Sequence, residues 1–310
     1  MTHPQTIRLG TRGSRLAMIQ AQSVAQRLRD AGAEVELIEI TTSGDADRRS
    51  LWEIGGQGVF TAALEEALLH HRIDAAVHSA KDLPTRLAEG LCLVTALPRE
   101  DPRDALVSAG GLKLLELPAG ATVGTSSTRR AAAVLALRSD LVTLPIRGNV
   151  PTRVEKVLTG EFSAAVLAVA GLKRLGLENS ITEVFDADIM MPAAGQGAIV
   201  VEAISGSPVA GMLAEVSDLR TLCAVRAERA VLAAFDAGCR TPVGALAVPV
   251  HGGFVLTAMV RTADGRKHWR AQTAFDAGEE LEAGTAVAKT LIDSGADEAL
   301  QDTKSEGNSG

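Results

Sequence analysis

Two similar α/β lobes followed by a small α+β domain are what this sequence predicts, and three observations carry that expectation. The chain has 310 residues, 46% of them hydrophobic, which suits two or three cores better than one. A grammar of strand, glycine-marked turn and helix runs through residues 7–97 and begins again at residue 122. Past residue 203 the composition shifts to a helix, three alternating strands and a closing helix.

Residues 7–10 read as a short strand ending in a turn, with Ser14 placed to cap a helix that runs to about residue 30. Residues 35–41 alternate as a strand. Residues 42–58 have no period, contain Gly44, Gly55, Gly56 and Gly58, and are long for a plain connector, as lids and poorly ordered loops are. A helix over 60–71 and a strand over 73–77 lead into His78-Ser79-Ala80-Lys81-Asp82. An apolar strand over 91–97 precedes a charged, hinge-like stretch, 98–104.

The second round has a strand at 122–124 turning through Thr125-Ser126-Ser127 into a helix that reaches residue 138. A strand follows at 141–145, a helix at 152–158, and a strand at 164–170 that ends in Gly171-Leu172-Lys173-Arg174. Leu9-Gly10-Thr11 parallels Val123-Gly124-Thr125, and Ala75-Ala76-Val77 parallels Ala164-Ala165-Val166. Ligands of such sheets bind outside the C-terminal strand ends. Residues 198–203 form a further strand. The last domain then has a helix over 221–235, a loop over 236–242 and strands over 244–250, 254–261 and 267–275 with a turn at Asp264-Gly265. A helix over 280–294 and a disordered polar tail over 302–310 close it.

A net charge of −7 argues against unspecific binding to nucleic acid or to an anionic membrane. The first nine residues lack the pattern of a signal peptide, and no apolar run approaches the length of a membrane span. Three cysteines, Cys92, Cys223 and Cys239, show no metal-type spacing and no disulfide framework. The chain therefore reads as cytoplasmic, free of metal and, lacking a long apolar stripe, monomeric. Of its 31 basic residues 24 are Arg, whose planar fork suits carboxylates, although a GC-rich genome produces the same bias. With no Tyr in the chain, acid–base work falls to Asp, Glu, His or Lys.

Polar residues gather at the strand ends. Arg129 and Arg130 lie in the first turn of a helix, where each cation opposes the macrodipole by roughly 0.3–1 kcal/mol. A bound anion, helped by Ser126 and Ser127, reverses that sign, and so does an internal pair with Asp or Glu. Arg12 and Ser14 repeat the arrangement in the first lobe. Asp82 is either an acidic cap ahead of Pro84 or a carboxylate that meets a proton or a cation, and His78 reads as a hydrogen-bonded structural residue. Cys92 sits in an apolar run and belongs to the core, and Cys223 lies in a helix, packed or half-exposed. Cys239 stands in a loop beside Arg240, where a cation favours thiolate; nucleophile and bystander thiol are both open.

Together these strings resemble the porphobilinogen deaminase (hydroxymethylbilane synthase) family over residues 7–295. The telling ones are Val77-His78-Ser79-Ala80-Lys81-Asp82, the run 124–130, Arg147-Gly148-Asn149-Val150-Pro151-Thr152-Arg153, the run 167–177 and Gly238-Cys239-Arg240-Thr241-Pro242. The resemblance implies an α/β fold with two lobes like those of periplasmic binding proteins and a small α+β C-terminal domain. The first lobe takes 1–97 and 198–216, the second 102–192, and the last domain 219–310. It implies a transferase that joins four porphobilinogen units head to tail, releasing ammonia, to make hydroxymethylbilane. A dipyrromethane primer is held as a thioether on Cys239, with Lys81, Ser79, Ser126, Ser127, Arg129, Arg130, Asp45 and Gly197 binding that cofactor. Arg12, Ser14, Arg147, Arg153, Arg174, Gln196 and Phe60 bind substrate. Asp82 is the catalytic carboxylate, placed against the cation left when ammonia departs. At about 4 Å and an effective dielectric near 20 that attraction is roughly 4 kcal/mol.

Four positions depart from the family's pattern: Gln57 stands where Lys is usual, Arg15 where Pro is, Ala80 where Met or Leu is, and Thr128 where Leu is. None removes a residue given a chemical role. Two rival readings are a two-lobed carboxylate-binding protein without catalysis and a Schiff-base enzyme using Lys81. The first lacks a reason for the Cys-bearing domain, and the second lacks a phosphate cradle for its cofactor.

Overall fold

The structure is a computed structural model and describes residues 6–41, 61–235 and 242–299. Contacts divide the chain into two units, 1–100 with 198–223 and 101–197 with 224–310.

The first unit is built on a five-stranded sheet. β1 (Ile7–Thr11) lies between β2 (Val35–Glu39) and β3 (Ala75–Ser79), parallel to both. β10 (Ile199–Ile204) runs antiparallel between β3 and the edge strand β4 (Leu91–Ala96). Helix α1 (Arg15–Asp30) buries Gln20, Ala21, Val24, Ala25 and Leu28, a stripe at helical spacing, against Leu9, Val77 and Val201. Ser14 caps it, its Oγ accepting from the Ala17 amide at 3.3 Å. On the opposite face α2 (Ala62–Leu69) packs Leu64, Ala67 and Leu68 on Ile73 and Ala76.

The second unit repeats that plan. β6 (Thr122–Gly124) lies between β7 (Val142–Leu144) and β8 (Ala164–Ala168), parallel to both. β5 (Asp104–Ser108) runs antiparallel between β8 and β9 (Glu183–Val184). The strand orders β2-β1-β3-β10-β4 and β7-β6-β8-β5-β9 correspond position by position. In each sheet the antiparallel strand comes just after the chain has crossed from the other unit. The repeated glycine has a common cause: a Cβ on Gly10 falls 2.3 Å from Ile73, and one on Gly124 falls 2.9 Å from Ile146.

Helices α3 (Thr128–Leu137), α4 (Val150–Leu158) and the short α5 (Val169–Arg174) follow β6, β7 and β8. The apolar run at 164–170, read from sequence as one strand, divides at Val169 because the chain turns into α5 there. The stretch 98–104, read as a hinge, ends in the start of β5. α6 (Pro208–Glu215) and α7 (Leu219–Ala234) lead to a three-stranded antiparallel meander, β11 (Val243–Val250), β12 (Gly253–Arg261) and β13 (His268–Phe275), closed by α8 (Glu280–Asp293). These strands lie within a residue of the positions that alternation predicts. The lid-like loop 42–58, the cysteine-bearing loop and the polar tail fall outside the described residues, apart from Pro242. Cys92 is half-buried rather than deep in the core, because β4 is an edge strand; its Sγ lies 3.8 Å from the Ala203 carbonyl oxygen. Cys223 is half-buried on α7.

Candidate active site

In the first unit the polar residues collect where β1 and its parallel neighbour β3 end. Arg12 and Ser14 follow β1, both half-buried. Ser79 closes β3, and Ala80–Asp82 forms a single 3-10 turn. That turn is fixed by its apolar ends: Ala80 and Leu83 are buried, and the Ala80 amide donates to the Ala198 carbonyl at 3.1 Å. Between them Lys81 is left half-buried and Asp82 exposed. Ser79 has an internal partner, exchanging hydrogen bonds with the buried Gln20 amide at 2.8 and 3.1 Å.

In the second unit the C-terminal ends of β6, β7 and β8 carry the corresponding set. Ser127 caps α3, accepting from the Arg130 amide at 3.4 Å, and the Ser126 hydroxyl donates to the Ile146 carbonyl at 2.9 Å. Arg147 is exposed beside Gly148, whose φ of +104° suits glycine. Asn149 caps α4, accepting from the Thr152 amide at 3.0 Å, and Arg153 Nε donates to the Gly148 carbonyl at 2.8 Å. Arg174 Nη2 donates to the Gly197 carbonyl at 2.7 Å.

The internal partner that sequence left open for Arg129 and Arg130 is Asp104. Arg130 meets its Oδ1 through Nε at 3.0 Å and Nη2 at 2.7 Å, and Arg129 Nη2 meets Oδ2 at 2.8 Å. Gln196 joins them, its Nε2 donating to Asp104 Oδ1 at 2.9 Å and to the Pro102 carbonyl at 2.7 Å. Asp104 is fully buried, and Arg129, Arg130 and Gln196 are 8%, 7% and 1% exposed. Burial alone raises a carboxyl, but the two guanidiniums outweigh it and hold Asp104 well below the ordinary carboxylate range. Burial pulls the Arg129 guanidinium down, from so high a starting value that it stays a cation at neutral pH. Two cations face one anion, so the cluster holds one positive charge in excess. The first turn of α3 contains no acidic residue to cancel it.

Gln196 thus holds a framework together, and its flanking glycines explain how. Gly195 and Gly197 adopt φ of +74° and +87°. The Gly195 amide donates to Glu228 Oε2 at 2.6 Å, while the Ala247 amide donates to Oε1 at 2.8 Å. Asp104 and Glu228 were not singled out from the sequence. Asp104 was hidden at the end of a charged stretch and Glu228 within a helix; their partners lie 19 to 92 positions away. Asp45, Phe60 and Cys239 lie outside the described residues.

Asp104→Asn leaves two buried guanidiniums facing a neutral amide. We expect a loss of about 3–5 kcal/mol in unfolding free energy, read by urea titration at neutral pH. The sign with pH follows from the lowered carboxyl: Asp104 stabilises the fold above its unfolded-state value near pH ~4 and loses that contribution as pH falls below it. The gap between parent and Asp104→Asn should therefore narrow on acidification. A gap that is constant from neutral pH to about pH 2.5 contradicts this.

A family model for "Porphobilinogen deaminase, dipyromethane cofactor binding domain" matches residues 7–210, and one for "Porphobilinogen deaminase, C-terminal domain" matches residues 222–293. A porphobilinogen deaminase of Sorangium cellulosum is 50% identical over 273 residues, 87% of this chain and 91% of its own length. One of Thermobifida fusca is 46% identical over 306 residues, 95% of this chain and 96% of its own. Among solved structures, the methionine binding protein MetQ aligns at a TM-score of 0.45 and 15% identity, covering 70% of this chain and 92% of that one.

Proposed function

We propose that this chain, which belongs to the porphobilinogen deaminase family, holds the acidic arms of its pyrroles with arginines and meets the developing positive charge with Asp82. The reaction is the head-to-tail condensation of four porphobilinogen molecules, with loss of ammonia, to hydroxymethylbilane, the linear tetrapyrrole of haem biosynthesis. The match to the cofactor-binding family model over residues 7–210 carries this conclusion.

The cofactor of the family is dipyrromethane, a pair of pyrroles with acetate and propionate arms. The donor chemistry of the second unit fits such a group. Arg129 and Arg130 together exceed Asp104 by one charge, and Arg147 follows β7, Arg153 lies in α4 and Arg174 closes α5. When bound, dipyrromethane supplies the pyrrole end to which the first substrate is joined. Cys239, within the matched C-terminal domain, is its anchor, and Lys81 and Ser127 lend hydrogen bonds to its arms, whereas the Ser126 hydroxyl must first turn away from the Ile146 carbonyl to do so. The oxygens of Ser14 and Ser127 already accept as helix caps, which leaves their hydroxyl protons to donate to a carboxylate. Bidentate arginine contacts fix orientation as well as charge.

Asp82 has the opposite sign and a different place, on the exposed side of its turn beside Lys81. As ammonia leaves porphobilinogen, positive charge develops on the ring, and a carboxylate in reach lowers that barrier more than it stabilises neutral substrate. Arginines that bind the arms equally in ground and transition states set affinity; Asp82 sets rate. The chain works as a cytoplasmic monomer on a small-molecule substrate, apart from nucleic acid and membrane, a reading supported by its net charge of −7. No helix among the described residues is long and apolar enough to cross a membrane.

Incubation of the purified chain with porphobilinogen tests the activity. Ammonia should appear one for one with porphobilinogen consumed, and the product should be a linear tetrapyrrole. Tight binding of porphobilinogen with no ammonia released would favour the carboxylate-binding protein instead.

A further inference from the structure

Beneath the Lys81–Asp82 turn lies a cluster of ionisable groups that the chemistry above does not use. His78 is the penultimate residue of β3, and Glu202 sits on its antiparallel neighbour β10. The register pairs His78 with Val200 and Glu202 with Ala76. Side chains alternate along strands, so His78 and Glu202 share the face covered by α2. His78 Nε2 lies 3.2 Å from Glu202 Oε2, with side chains 4% and 0% exposed. The sheet is irregular at this point, the β10–β4 register shifting between Val201 and Glu202, and such bulges re-aim side chains. Glu65 of α2 adds a third group. Burial pushes its carboxyl up, Glu202 adds to the rise and His78 opposes it.

The hydrogen bonding of this cluster is incomplete. Glu65 Oε1, His78 Nε2 and both Glu202 oxygens are buried without a hydrogen-bond partner of good geometry among the described residues. Around them the same face is built of Leu64, Leu68, Ala76 and Leu91. Apolar side chains in place of such a pair are commonly neutral or stabilising, so stability alone gives no reason for three ionisable groups here. Their place in the chain gives one. Ser79, the next residue, points to the other face and is held by Gln20 of α1 at 2.8 Å. The end of β3 is therefore gripped from both faces, by the 3.2 Å His78–Glu202 contact on one and a hydrogen bond on the other, just before the turn that carries Lys81 and Asp82.

We propose that His78, held by Glu202 with Glu65 beside it, is a positioning residue for Asp82: the contact fixes the end of β3 and so the place of the carboxylate against the reacting pyrrole. It acts through the backbone and touches no substrate. This rests on the role given to Asp82. Misplacement of a reacting group by about 1 Å can reduce rate on the order of a hundredfold, whereas the arginines that bind the pyrrole arms lie on other elements and are left as they were.

The test uses the chain carrying its dipyrromethane primer. In the double variant His78→Phe with Glu202→Leu we expect kcat to fall roughly ten- to a hundredfold, with KM within about twofold, the same primer increment above the polypeptide mass as in the parent, and an unfolding midpoint no lower than the parent's. His78→Gln, which keeps a polar side chain facing Glu202, should recover most of that loss. Parental kcat in the double variant overturns the proposal, as does a His78→Gln variant as slow as the double one. Should the double variant fail to fold, Glu202→Gln decides: a reduced kcat at an intact midpoint supports the grip, and parental kcat refutes it. Asp82→Asn run alongside separates the two readings. If it turns over like the parent, the role of Asp82 itself is wrong. If it is inactive while the double variant is fully active, only the grip is wrong.

Discussion

Asp82→Asn, with its primer in place, should release ammonia from porphobilinogen about a thousandfold more slowly than the parent while folding equally well. The figure follows from where the charge is felt. A carboxylate about 4 Å from a full positive charge is worth roughly 4 kcal/mol at an effective dielectric of 20, but only about 1 kcal/mol in bulk water. The first value is about a thousandfold in rate and the second about fivefold. Asp82 is exposed, so the larger effect requires that the reacting pyrroles exclude water from it. Steady-state ammonia release thus reads out how dry the carboxylate becomes. A loss near fivefold would place it in solvent during the reaction, and no loss would remove it from the mechanism. Stability should hardly change, within about 0.5 kcal/mol, as for other exposed positions.

Cys239→Ser should lose both the covalent primer and almost all turnover. A thioether makes each addition intramolecular with respect to the growing chain, and tethering in a productive geometry is worth effective concentrations on the order of 10⁵ M or more. We therefore expect a rate loss above about a thousandfold, and an intact mass equal to that of the polypeptide alone. Cys92→Ser and Cys223→Ser serve as controls. Both thiols are half-buried, Cys92 against the Ala203 carbonyl and Cys223 on α7, and both variants should keep the adduct. An adduct that survives Cys239→Ser and disappears with either of the others would move the anchor.

Local features were legible in the sequence where the chemistry is local. Ser14, Ser127 and Asn149 cap the helices that follow them, and Ser14 could be named from its place between a strand and an apolar stripe. The repeat of Leu9-Gly10-Thr11 in Val123-Gly124-Thr125 marked two strand ends that prove equivalent in their sheets, for the steric reason that neither glycine can carry a Cβ. The C-terminal meander was visible because its alternation is regular. The run 164–170 misled because apolar residues are compatible with both a buried strand and the first turn of a buried helix.

What the sequence concealed are contacts made between distant residues. Arg129 and Arg130 looked like free cations at a helix start, and an internal partner was open. That it is Asp104 depends on β5 lying beside β8 in the sheet, a pairing no local pattern encodes. Glu202 stood in an apolar strand and His78 beside a catalytic-looking string, 124 positions apart in the chain, and only the β3–β10 register joins them. Gln196, which the family resemblance implies as a substrate contact, is buried with its amide bonded to Pro102, Asp104 and Arg130.

Intact-mass measurement during a rapid-quench time course with porphobilinogen tests most directly the division of labour between arginines that hold and an aspartate that reacts. The parent should show a ladder of peaks above the primer-loaded mass, each higher by one porphobilinogen less ammonia, and ending four steps up. The primer-loaded Asp82→Asn chain should remain at its starting mass over the same period. A ladder of equal speed in both chains would contradict the role assigned to Asp82.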